Sequence, residues 1–162
     1  MSSNLLKYEK ELYKNNITLI AGVDEAGRGP LVGPVVAAAV ILPKNYELEG
    51  LNDSKQLSEK KREYYYDVLQ KEAISIGVGV VSAKEIDRIN ILEASRKAMY
   101  IALENLEVRP EYILSDAMSL NDIDIPSRPI IHGDALSLSI AAASVIAKVT
   151  RDHIMYELDQ KY

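Results

Sequence analysis

Cysteine is missing from all 162 residues. Its absence excludes disulfides, thiolate zinc sites and thiol catalysis. It also suits a reducing compartment, and a cytoplasmic location is expected. Tryptophan and phenylalanine are missing too; the aromatics are 10 tyrosines. The core must therefore be built from Ile, Leu, Val and Ala. Long apolar runs are lacking. The longest, Leu31 to Leu42, is interrupted by Gly33 and Pro34 and falls short of the ~18 residues of a membrane span. Met1 to Asn15 is polar and charged, with no apolar signal-peptide core. Positive charge is in deficit: 19 Lys and Arg stand against 24 Asp and Glu, a net charge of −5. This counts against a protein that grips nucleic acid through bulk positive charge. It does not count against an enzyme that gathers carboxylates around a metal. The 2 histidines, His132 and His153, lack the spacing of a metal site.

What is present is enough apolar residue, 48% of the chain, for one domain with a sizeable core. Residues 1–16 (Leu5, Leu6, Tyr8, Leu12 and Tyr13 among Lys and Glu) predict an amphipathic lead-in helix. Residues 17–162 form the main domain. Strands are expected over Ile17–Val23, Pro34–Leu42, Ala73–Ser82, Glu111–Ser115 and Pro129–His132. The short link between the first two favours an antiparallel pair. Ser58 is an N-cap for a charged helix through Leu69. A short helix or turn covers Ser82–Asn90, a longer helix Ile91–Leu106, and a long one about Leu136–Lys161. The small apolar run Ser139–Ala147 in the last must lie close against a neighbour. Alternating strands and helices argue an α/β layer structure with a mixed sheet.

The stretch around which the chain is organised is Ile17 to Pro30. An apolar strand ends in two adjacent carboxylates, Asp24 and Glu25, followed by Gly27-Arg28-Gly29-Pro30. Neighbouring residues of a strand point to opposite faces, so both serve one site only if the strand stops there. Asp116 closes a second strand, and Asp134 follows Gly133 just before the last helix. A lone acid at a strand end is ordinarily a solvated turn residue. Oxygen ligands without cysteine select hard cations, Mg2+ or Mn2+, completed by water and substrate phosphate. The Gly-Arg-Gly spacing matches neither a P-loop nor a dinucleotide fingerprint; its use would be close backbone approach plus an arginine fork of donors. Asp53-Ser54-Lys55 is a candidate phosphate-contacting edge. Asp152, beside Arg151, is expected to be ion-paired.

Taken together, Asp24-Glu25-Ala26-Gly27-Arg28-Gly29-Pro30, Asp53-Ser54-Lys55, Ser115-Asp116-Ala117, Gly133-Asp134, Ser139 to Ser144 and Ala147 to Asp152 closely resemble the type 2 ribonucleases H, the ribonuclease HII family. The Gly-Arg-Gly triplet favours this branch over ribonuclease HIII. The resemblance implies a ribonuclease H-like fold, a mixed five-stranded sheet flanked by helices. It implies a metal-dependent endonuclease, with Mg2+ or Mn2+ as its cofactor, that hydrolyses the RNA strand of RNA–DNA hybrids by two-metal-ion activation of water. The same activity would nick 5′ of single ribonucleotides embedded in duplex DNA. Asp24, Glu25, Asp116 and Asp134 would be the catalytic and metal-binding carboxylates, with Asp152 the runner-up for the fourth. Gly27, Arg28 and Gly29 would recognise the 2′-hydroxyl and adjacent phosphate. Ser54 and Lys55 would contact the nucleic-acid backbone. The partner implied is an RNA–DNA hybrid or a ribonucleotide-containing DNA duplex, met by a monomer and without a membrane.

Two positions depart from the family pattern. His132 stands where the family has lysine. The chain stops at Tyr162, whereas the family continues into a His-Lys-Gly-Tyr segment and a C-terminal helical part. A C-terminally truncated member is therefore expected. The competing expectations are a catalytically weak form that still binds hybrid duplexes and, behind it, a small-molecule phosphohydrolase.

Overall fold

The structure is a computed structural model that describes residues 5–27, 33–51 and 57–161. Arg28, Gly29, Ser54 and Lys55 lie outside the described residues. Five strands form one mixed sheet: β1 (Ile20–Ala26), β2 (Val35–Ile41), β3 (Ser75–Val81), β4 (Tyr112–Asp116) and β5 (Ser127–Ile130). Their order is β3-β2-β1-β4-β5. β1 pairs antiparallel with β2, and β2 with β3. β1 pairs parallel with β4, and β4 with β5. The expected mixed five-stranded sheet is the sheet observed. The helices are α1 (Lys7–Tyr13), α2 (Glu59–Glu72), α3 (Ala83–Ile89), α4 (Ile91–Glu104), α5 (Gly133–Leu136) and α6 (Leu138–Lys161). Ser58 caps α2 as expected, its hydroxyl accepting from the Lys61 amide at 3.1 Å.

Strand alternation divides the core. Ala21 and Val23 of β1 face α4 together with Val35, Ala37, Ala39 and Ile41 of β2. Ala38 and Val40 of β2 face α6, packing with its Ala141, Ala142, Val145 and Ile146 and with Tyr65 and Leu69 of α2. α1 covers the β4–β5 side through Tyr8, Leu12 and Tyr13, which pack on Ile20, Leu114, Ile130 and Ile140.

Two helices come close enough that only glycine fits beneath them. On β3, a Cβ at Gly77 or Gly79 would overlap the Ala102 or Ala98 carbonyl oxygen of α4. On β1, a Cβ at Gly22 would overlap the Ser139 carbonyl group at the start of α6. The run of small residues from Ser139 onward is thus accounted for: α6 lies backbone to backbone on the central strand.

Candidate metal centre and nucleic-acid interface

The two neighbours of β1 part company at its C-terminal end. The parallel ladder to β4 closes at Val23 opposite Ser115. The antiparallel ladder to β2 runs on through Asp24, Glu25 and Ala26. β1 therefore does not stop at Val23. It continues past both carboxylates because β2 still offers backbone partners, and alternation still applies there. Asp24 follows Gly22 onto the α6 side of the sheet. Glu25 follows Val23 towards the α4 side.

Asp116 is the last residue of β4, on the same side as Leu114. Asp134 lies in α5, the single helical turn that precedes α6. The Gly133 amide donates to Asp116 Oδ1 at 2.9 Å, which ties that turn to the end of β4. The result is that carboxylate oxygens of Asp24, Asp116 and Asp134 lie within 4.8 Å of one another. Asp24 and Asp134 are buried, and Asp116 is partly so.

Such a gathering is electrostatically costly. Burial holds the Asp24 carboxyl well above the usual carboxylate range. A side-chain hydrogen bond with Glu25, the Glu25 charge and the Asp116 charge push it the same way, while the Glu25 amide, donating to Asp24 Oδ1 at 2.8 Å, works against them. Like charges crowded in a dry site raise one another's proton affinity. A divalent cation removes the conflict, and an all-oxygen donor set of this kind suits a hard cation. Glu25 thus touches the centre through Asp24 rather than joining the group of three.

Backbone strain borders the same place. Ala117, next to Asp116, and His132, two residues before Asp134, both have left-handed backbone, with φ of 60° and 58°. The other non-glycine residues described in that region are asparagines, which tolerate it. Ala117 is held there as its amide donates to the Ile130 carbonyl at 3.0 Å. His132 is exposed.

Asp152 is elsewhere. It accepts from Lys148 Nζ at 3.1 Å and faces Arg62 of α2 at 3.9 Å. His153 pairs with Glu63 on the exposed side of the same two helices, at 3.0 Å. Gly27 leaves β1 with φ of 106°, a conformation open to glycine and few others.

One residue of the centre's frame escaped the sequence pattern altogether. Glu9 of α1 is 1% exposed. Its Oε2 accepts from the Ser137 hydroxyl at 2.8 Å and the Ser139 amide at 3.0 Å. A carboxylate from α1 thus caps the N-terminus of α6, where free amides and the helix dipole favour negative charge. Nothing in a Lys- and Glu-rich helix distinguishes this glutamate from its solvated neighbours.

Comparison with known proteins agrees with the geometry. The family described as Ribonuclease HII matches residues 21–162.

This chain belongs to the ribonuclease HII family.

It is 57% identical over 155 residues to Ribonuclease HII of Acetivibrio thermocellus, covering 96% of this chain and 60% of that protein. It is 58% identical over 156 residues to Ribonuclease HII of a Geobacillus species, covering 96% of this chain and 56% of that one. The chain therefore spans less than two thirds of the length of these relatives. Among solved structures, ribonuclease H2 from Pyrococcus horikoshii superposes with a TM-score of 0.76 at 32% identity, over 88% of this chain and 76% of that one. No helix among the described residues is long and apolar enough to cross a membrane.

Proposed function

We propose that the chain carries the catalytic centre of a metal-dependent endonuclease. Its substrates would be the RNA strand of RNA–DNA hybrids and single ribonucleotides embedded in duplex DNA, nicked on the 5′ side. The observation that carries this is the meeting of Asp24, Asp116 and Asp134 within 4.8 Å, in a member of the ribonuclease HII family.

Asp24, Asp116 and Asp134 would hold Mg2+ or Mn2+, with Glu25 completing the set from the opposite side of β1. Divalent cations bound there supply activation of water for in-line attack and stabilisation of the leaving 3′-oxygen. The chain's own work is to fix the carboxylates. β1 and β4 hold Asp24 and Asp116 on one side of the sheet, and the Gly133 amide sets the turn that carries Asp134. Water breaks the bond between phosphorus and the 3′-oxygen, leaving a 5′-phosphate and a 3′-hydroxyl; no protein nucleophile is required. Gly27, Arg28 and Gly29 would read the 2′-hydroxyl and the neighbouring phosphate, the feature by which proteins tell RNA from DNA. Ser54 and Lys55 would meet the backbone.

The test is cleavage of a DNA duplex containing one ribonucleotide, with Mg2+, with Mn2+ and with chelator. Metal-dependent nicking 5′ of the ribonucleotide, lost in Asp24→Asn, is the expected result. Duplex binding without turnover would reassign the chain as a binding form. Hydrolysis of nucleotide esters but not of duplexes would move it to small phosphate substrates.

A further inference from the structure

α1 meets both strands that carry a member of the three-carboxylate group, and the joint that follows the third. Its Tyr8, Leu12 and Tyr13 pack on the cluster of Ile20, Leu114, Ile130 and Ile140. Ile20 belongs to β1, which carries Asp24, and Leu114 to β4, which carries Asp116. From the same helix Glu9 reaches the joint between α5 and α6, just after Asp134, where Oε2 accepts from both the Ser137 hydroxyl and the Ser139 amide. The start of α6 has a local cap besides, since Ser137 Oγ accepts from the Ile140 amide at 3.3 Å. What Glu9 adds is a tie across the fold. The tie has a cost: Glu9 Oε1 is buried with no hydrogen-bond partner among the described residues, and such a group lowers stability. α5 has need of it. A helix of 4 residues does not hold its own shape. One end is held by the Gly133 amide on Asp116 Oδ1. The other is held by the Ser137 amide on the Gly133 carbonyl at 2.8 Å and, through the Ser137 side chain, by Glu9.

We propose that Glu9 is a positioning residue of the metal centre: through Ser137 and Ser139 it fixes the turn bearing Asp134 against the strands bearing Asp24 and Asp116, and so sets the affinity for a divalent cation. The inference rests on the reading of those three carboxylates as a cation site. Without a cation the crowded carboxylates push apart, and a turn held only at Gly133 would follow. The role is one of reach, since a single oxygen takes both hydrogen bonds. Glutamine keeps an oxygen at that reach and lacks the charge. Aspartate keeps the charge and is one methylene too short.

The experiment uses the 162-residue chain with Glu9→Ala, Glu9→Asp, Glu9→Gln and Ser137→Ala. Leu103→Ala, a deletion in the core on the α4 side of the sheet, is the control for lost stability. Mn2+ binding is measured by calorimetry. Hydrogen exchange is followed in chelator by mass spectrometry in peptides covering 133–141. Glu9→Ala and Glu9→Asp should bind Mn2+ about tenfold more weakly, the lower end of what groups that orient metal ligands contribute. Exchange over 133–141 should quicken by a similar factor while β4 stays protected. Glu9→Gln should stay close to the parent in both, and Leu103→Ala should keep the parental affinity. Ser137→Ala removes half of the tie and should weaken Mn2+ binding by about threefold, the scale of one net hydrogen bond; it decides the matter if Glu9→Ala and Glu9→Asp do not fold. Folded variants with parental affinity and parental exchange overturn the positioning role. So does an equal loss in Leu103→Ala, which would assign the effect to stability at large, and an equal loss in Glu9→Gln, which would assign it to charge. A parent that binds no Mn2+ overturns the cation site itself, an outcome distinct from parental binding in every variant.

Discussion

Gly22 and Ser139 meet backbone to backbone, so that a methyl group on Gly22 would overlap the Ser139 carbonyl. β1 carries Asp24 and the turn leading into α6 carries Asp134. The closeness of these two backbones therefore sets the distance across the metal centre.

Gly22→Ala should be severely destabilising. Neither backbone can yield without displacing the central strand or the longest helix. Overpacking of this kind costs about 3 kcal/mol, and more where backbone is the obstacle. Urea unfolding reads the loss. A variant that still folds should show weakened divalent-cation binding, because Asp24 and Asp134 move apart.

The raised proton affinity of Asp24 gives a pH dependence of definite sign. Its folded pKa lies above the unfolded one. Between the two values the folded state holds a proton that the unfolded state lacks, so stability falls as pH rises. In chelator, the contribution of Asp24 should be full below the ordinary aspartate range and lost as pH rises through the raised value. Asp24→Asn should flatten this profile and stabilise the metal-free protein at neutral pH by on the order of 1 kcal/mol. The same variant should lose the roughly 2.7 kcal/mol that a cation at a hundredfold excess over its dissociation constant confers. Denaturant titrations across pH, with and without Mn2+, measure both effects.

Asp134 and Asp152 should separate cleanly by calorimetry. Asp134→Asn removes a member of the three-carboxylate group and should weaken Mn2+ binding by at least about tenfold, as a loss of 1.4 kcal/mol does. Asp152→Asn alters an ion pair with Lys148 and Arg62 and should leave Mn2+ affinity unchanged. Equal losses in both variants would return Asp152 to the centre.

Glu9→Ala should cost about 2 kcal/mol, since it strips a cap from α6 and leaves the Ser137 hydroxyl and Ser139 amide without their acceptor. Glu9→Gln keeps one acceptor oxygen and should recover most of that loss. Thermal unfolding of the two variants side by side distinguishes capping from mere packing.

Much of this was legible in the chain itself. Ile74, Ile76, Val78 and Val80 alternate as a strand must, and β3 lies there. Asp24 and Asp116 sit at the edge of apolar runs, where a sheet delivers side chains to one end. The reach of β1 to Ala26 was not legible, because it depends on β2 continuing to pair after β4 has left. β5 likewise begins at Ser127, earlier than its apolar residues, since Ile113 and Leu114 supply partners to polar Ser127 and Arg128. The burial of Glu9 and of Arg151 was not legible for a related reason. A charged residue on a helix has the same local pattern whether it meets water or a buried partner, and only tertiary packing decides between them.

The parallel pairing of β1 with β4 has a kinetic consequence. It joins residues about ninety positions apart in the chain, and Asp24 meets Asp116 only once that register is made. Contacts so distant in sequence form slowly, after a large loop has closed. Short fragments of the folding chain therefore lack the centre, and a cation arriving early finds isolated carboxylates of low affinity. Metal should accordingly slow the unfolding rate far more than it speeds refolding.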